Sequence, residues 1–252
     1  MSPRDDDDRA TRATTQSTRR LTICAVSPVF CHPSWQGSGM ARTATGLLVA
    51  LARRGHRVTV VSPLHDLDRA FAPPRDTSFH DGNLRLLYSA TARPTRFGTS
   101  HRGLEALLTP LLHESDLAYF HGFLSPWIDR AASLARSANV PYVIQDHGKL
   151  TPSIFAHRAI AKRVYLRVRG RSILQRAARV LASTEALARA LTAWDPTVHW
   201  GWCSNGLDAE EFDRAAPARP IDAPYVLSLA YLDPRKNPAL LVRAFARVAA
   251  QH

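Results

Sequence analysis

The chain has 252 residues, 45% of them hydrophobic. That allows one large or two modest globular domains and excludes a disordered chain. No apolar run approaches the roughly 20 residues that span a bilayer. Cys24, Cys31 and Cys203 form no CxxC pair, which excludes a disulfide framework or a zinc ribbon and points to a reduced, cytoplasmic protein. The formal net charge is +12, and His147 to Thr184 holds nine Lys or Arg with no Asp or Glu. Such a field favours anions. Only three of the 33 basic residues are lysine, so an arginine-rich composition accounts for the excess equally well.

Residues 1–20 have no apolar h-region, so no secretory signal is expected, and they read as a solvated, disordered tail in which Asp5–Asp8 bind nothing. Leu21–Ser27 is a short apolar run, expected as a buried parallel strand. A Pro- and Gly-containing loop leads to a helix over Met40–Arg54, with Leu47, Leu48 and Leu51 on one face and Gly55 as its stop. His56–Ser62 is the next strand, which completes a βαβ unit. Strands are then expected at Leu84–Ala90, Leu117–Phe120, Val140–Gln145, Val180–Thr184 and Thr197–Ser204. Helices are expected at His101–His113, Trp127–Ala138, Phe155–Ala178 (long, basic, with a break at Gly170) and Glu185–Ala193. The alternation predicts an α/β fold, a doubly wound Rossmann-like parallel sheet over 21–205. A polar, Pro-rich linker follows over 206–224. Tyr225–Tyr231 and the helix after it read as the first strand and helix of an incomplete second Rossmann-like domain, 225–252.

Ligands of open α/β sheets bind outside the carboxyl ends of the strands, so the strand-to-helix loops are the candidate site. Gly37 and Gly39 precede a helix, where bare amides can approach an anion. A dinucleotide site is disfavoured, because nine residues separate Ser27 from Gly37 and Arg42 stands where a third glycine belongs. His121-Gly122 and His147-Gly148 follow strands, and a strand-end histidine can orient a hydroxyl or move a proton. Arg235 and Lys236 lie in a turn that opens a helix, where they can neutralise a diphosphate. No GxSxG elbow and no Walker lysine loop is present.

Five stretches in order resemble one family. They are VSPVFCHPSWQGSG followed by RRGHRVTVVSP, HGFLSPWIDRAASLARSANVPYVIQDHGKLTP, RAARVLASTEALARAL, SNGLDAEEF, and YVLSLAYLDPRKNPALLVRAFARV. Together they resemble the retaining glycosyltransferases of group 1, or family 4, which have the two-domain GT-B architecture. The likeness covers about residues 21–252. It implies transfer of a hexose from a nucleoside-diphosphate sugar to an acceptor hydroxyl with retention, in polysaccharide or glycolipid synthesis. The nucleotide sugar is a co-substrate, and neither a cofactor nor a metal is implied. By the resemblance Gly37 and Gly39 lie near the donor phosphate and His147 acts at the transferred sugar. Arg235 and Lys236 hold the diphosphate, and His121 and Gly148 lie on the acceptor side.

Ala230-Tyr231 stands where the family has Gly-Arg, and the family's acidic E-x7-E segment has no counterpart after Lys236. The alternative is therefore a truncated, inactive remnant or half-enzyme that keeps the acceptor domain. The basic stretch Arg158–Arg179 suggests an anionic membrane surface as a further partner, at the inner face of the plasma membrane. Within it Arg158, Lys162 and Arg163 share a helix face, with Ile160, Val164 and Leu166 mostly elsewhere. Nucleic acid is not expected, since no recognised module appears.

Overall fold

The computed structural model describes residues 19–34, 38–64, 73–95, 98–151, 159–207, 223–230, 232 and 236–249. The chain divides into two compact units, Met1–Asp208 and Ala209–His252.

The first unit is an eight-stranded sheet. Its strands are β1 (Thr22–Val26), β2 (Arg57–Pro63), β3 (Asp76–Phe79), β4 (Leu84–Ser89), β7 (Leu117–His121), β8 (Tyr142–Gln145), β9 (Arg179–Ala182) and β10 (Trp200–Trp202). A separate two-residue pair, β5 (Pro94–Thr95) and β6 (Gly98–Thr99), forms its own small ribbon. The order is β10-β9-β8-β7-β1-β2-β4-β3. Every neighbour pair is parallel except β3 with β4. The chain therefore winds outward in both directions from β1 and β7, and the topological switch point lies between those two strands.

Alternate residues of β1 serve the two faces. Ile23 and Ala25 join the core under helix α1 (Gly39–Arg53), with Leu48, Val58, Val60, Leu84 and Leu86. Cys24 and Val26 join the larger core on the other face. That core holds Leu104, Leu108 and Leu112 from α2 (Leu104–His113), and Trp127 and Ile128 from α3 (Pro126–Ser137). It is completed by a basic helical stretch and by α6 (Glu185–Trp194). Burial on both faces is why the central strands read as unbroken apolar runs. Cys24 is fully buried, which pushes its thiol up to about 12.

Strand β3 was not expected. It is a polar edge strand, joined to β4 by a turn in which His80, Asp81 and Gly82 all have positive φ. Its Asp76 takes a two-bonded ion pair from Arg85, at 2.9 and 2.6 Å. A half-exposed edge needs no apolar run, so periodicity does not reveal it.

The basic stretch is continuous over its described part, with residues 155–158 outside it. It comprises α4 (Ala159–Tyr165), a π-turn over Leu166–Gly170 and α5 (Arg171–Gln175). The expected break at Gly170 is instead this π-turn. A Cβ on Gly170 would stand 2.8 Å from Tyr165 Cε1, 3.0 Å from Leu166 Cδ2 and 3.2 Å from Phe123 Cζ. The glycine is there for close approach, and the wider turn aims both Tyr165 and Leu166 inward. Leu166 is buried as expected, but Ile160 and Val164 are 79% and 55% exposed. The inward positions are taken by Tyr165, Leu166, Gly170, Ile173 and Leu174 instead.

In the second unit α7 (Pro238–Ala249) forms as expected, with Asn237 Oδ1 accepting from the Leu240 amide at 3.2 Å. The expected strand over 225–231 is not present among the described residues, and 224–230 has no ladder. A helix closes its own hydrogen bonds, whereas a strand exists only beside another strand. Most of the expected linker, 206–224, lies outside the described residues, as does the tail 1–18.

Candidate functional site

The loops after β1, β7 and β8 and the start of α1 meet at the switch point. Ser38 caps α1, its hydroxyl accepting from the Ala41 amide at 3.3 Å. The first-turn amides of Gly39 and Met40 have no intrahelical acceptor, as at any helix start. A Cβ on Gly39 would meet nothing within 4 Å, so this helix end faces open space. Gly122, with φ 87°, closes against it, since a Cβ there would lie 3.5 Å from Met40 Sδ and 3.8 Å from Pro28 Cγ.

His121 ends β7 and is fully buried. Its Nδ1 lies 3.3 Å from His147 Nε2, the two rings stacked at 25° with centroids 5.6 Å apart. Tyr119 packs on its other side, at 4.8 Å between centroids. Burial, aided by the facing His147, lowers the His121 pKa to about 3. Burial, aided by the Lys149 charge, lowers that of His147 to about 4. Both rings are therefore neutral at pH 7, and one proton serves the contact between them. His121 Nε2 is buried with no hydrogen-bond partner among the described residues. An orphaned N–H is worse tolerated than an orphaned lone pair. Hydrogen-bond economy thus assigns the shared proton to His121 Nδ1, which leaves His147 Nδ1 as an N–H donor.

His147 owes its orientation to an unusual turn. His147 and Gly148 are consecutive left-handed residues, with φ of 51° and 75°. The turn is tied down by Asp146, which is fully buried. Its Oδ2 accepts from the Leu150 amide at 3.1 Å, and the Gly148 and Lys149 amides also bond it. Its Oδ1 has no partner among the described residues. Burial raises this carboxyl to about 6 against the opposing pull of the amides and of Lys149. Beneath it, Gln145 Oε1 accepts from the Tyr119 hydroxyl at 3.0 Å, and the Gly122 amide donates to the Gln145 carbonyl at 2.7 Å.

The structure thus brings His121, His147 and Gly148 together, beside the helix end that carries Gly39. Lys236 is exposed in the second unit. Gly37 and Arg235 lie outside the described residues. Asp146 and Gln145 were missed. The available signal was a polar pair directly after the buried run of β8, where the chain must turn. Among the described residues no group of three or more metal-ligating side chains occurs, and no helix is long and apolar enough to cross a membrane.

A family model described as a glycosyl transferase 4-like domain matches residues 38–199, from the cap of α1 to the edge of β10. No curated protein matches the sequence. Two solved structures show similarity. One is described as trehalose-6-phosphate from E. coli bound with UDP-2-fluoro glucose, at 13% identity and TM-score 0.43, covering 79% of this chain and 52% of that one. The other is an alpha,alpha-trehalose 6-phosphate synthase from Burkholderia multivorans, at 12% identity and TM-score 0.40, covering 70% and 42%. The chain thus spans about half the length of the solved structures it matches.

Proposed function

This chain belongs to the glycosyl transferase 4-like family, and from that premise we propose that its first unit is the acceptor-side half of a glycosyltransferase. The reaction is transfer of a hexose from a nucleoside-diphosphate sugar to an acceptor hydroxyl, with retention at the sugar carbon. The observation that carries the reading is the neutral His121–His147 pair beside the open start of α1.

Each part of that arrangement suits a step of the chemistry. The His147 Nδ1–H is a donor for a hydroxyl of the transferred sugar and orients it. As the bond to the diphosphate breaks, negative charge grows on the leaving oxygen, and fixed dipoles stabilise it most in the transition state. The amides at Gly39 supply such a dipole, Gly37 extends it, and Lys236 with Arg235 supplies positive charge from the second unit. A neutral histidine is the right partner here, because it donates a hydrogen bond without competing for the diphosphate as a cation would. Gly148 and His121 line the acceptor side, and the acceptor is a glycan or a lipid-linked sugar.

Release of UDP or GDP from a panel of nucleotide sugars, with wild type and His147→Ala, tests this reading. The expected result is sugar-dependent release that falls by about 10²-fold or more in the variant. Equal release by the two proteins, or no binding of any nucleotide sugar by the wild type, overturns it.

A further inference from the structure

The helical stretch that follows the His147 loop presents two parallel rows to solvent. Ile160, Val164 and Val168 are spaced four apart and are 79%, 55% and 71% exposed. Arg163, Arg167 and Arg171 repeat the same spacing three residues on, so they form the adjacent row on the helix surface. Arg163 and Arg167 are exposed. Arg171 is anchored through Nε to Asp195 Oδ2 at 2.7 Å, with its side chain still 56% exposed. No acidic residue occurs anywhere from His147 to Thr184. The opposite side is spent on the core through Leu166, Ile173 and Leu174.

We propose that this face docks on an anionic lipid bilayer, with the Ile160–Val164–Val168 row entering the headgroup layer and the Arg163–Arg167–Arg171 row pairing with lipid phosphates. Exposed apolar residues this regular are unfavourable in water. An arginine row beside an apolar row, with no carboxylate to offset it, matches the chemistry of an interfacial helix. A folded protein partner would need compensating carboxylates of its own, and a second copy of this chain would set arginine against arginine. The anionic bilayer meets both rows at once. The surface follows from charge and exposure and does not depend on the transfer reading.

Sedimentation of the full chain with phosphatidylcholine vesicles, with and without phosphatidylglycerol, tests the proposal. Binding is expected only with the anionic lipid and is expected to weaken in high salt. Arg163→Ser with Arg167→Ser should weaken it by roughly fivefold per arginine. Ile160→Ser with Val164→Ser and Val168→Ser should weaken it by about tenfold or more. An environment-sensitive dye on Val164→Cys, in a Cys203→Ser background, should shift to the blue when anionic vesicles are added. Equal binding to neutral vesicles, unchanged binding by either variant, or an unmoved dye overturns the proposal. So does a wild type that self-associates and ignores vesicles while the triple variant is monomeric, which would make this face an interface between copies.

Discussion

Nδ1 of His121 and Nε2 of His147 lie 3.3 Å apart, although 26 residues separate them in sequence. Parallel pairing of β7 with β8 sets His121 opposite Gln145. The chain then turns sharply at Asp146, and the left-handed His147 swings its ring back over the end of β7. The contact is therefore the product of one register and one turn.

The pair makes stability depend on pH. Both histidines have lowered folded pKa values, about 3 and about 4, against about 6.5 in an unfolded chain. Their contribution is complete above about 6.5 and is lost as pH falls toward the folded values, because the unfolded chain takes up protons first. Asp146 acts in the opposite sense, since its folded value is raised to about 6, and its contribution is lost as pH rises through that value. Two histidines outweigh one carboxyl, so the urea midpoint should fall between pH 7 and pH 5. Each fully depressed histidine adds a slope of up to about 1.4 kcal/mol per pH unit. His121→Asn should flatten the profile, and an unchanged slope would contradict the assignment.

Asp146 holds the turn through amide bonds, so its charge is secondary to its oxygen. Asp146→Ala removes the acceptor of the Leu150 amide and should destabilise the protein by about 1–3 kcal/mol. Asp146→Asn keeps an acceptor and should recover most of that loss. It should also steepen the fall in stability toward acid, because the opposing carboxyl is gone. Urea titrations of both variants at two pH values separate these effects.

Gly148→Ala isolates backbone strain from packing. The residue sits at φ 75°, and the nearest atom to an added Cβ is Thr151 Cγ2 at 3.9 Å, an ordinary contact. The expected loss is that of a left-handed non-glycine residue alone, about 1–2 kcal/mol. Thermal unfolding reads it, and an unchanged midpoint would show that the turn relaxes to another conformation.

At Gly170 helix propensity and packing pull in opposite directions. Alanine in an exposed helix position stabilises by up to about 1 kcal/mol over glycine. Here the new methyl would lie 2.8 Å from Tyr165 Cε1 and 3.0 Å from Leu166 Cδ2. Overpacking of this kind costs about 1–3 kcal/mol, so Gly170→Ala should lower the unfolding midpoint. A rise would mean that the π-turn yields readily.

Much of this protein was legible in its residues one segment at a time. Buried parallel strands announce themselves as apolar runs, and helices by the spacing of residues such as Leu104, Leu108 and Leu112. The positions of β1, β2, β7 and β8 and of the helices between them follow from those local patterns. So does the expectation that His121 and His147 end strands. What local pattern cannot carry is pairing. Asp76–Phe79 is a strand because β4 lies beside it, and 224–230 has no ladder because no strand lies beside it among the described residues. The contact of His121 with His147, the burial that keeps both neutral, and the orphaned oxygen of Asp146 arise only when the ends of β7 and β8 come together in one dry layer. The exposure of Ile160, Val164 and Val168 is of the same kind. The residues named themselves as apolar, but which side of their helix met the core was decided by how Tyr165, Leu166 and Gly170 packed against Phe123.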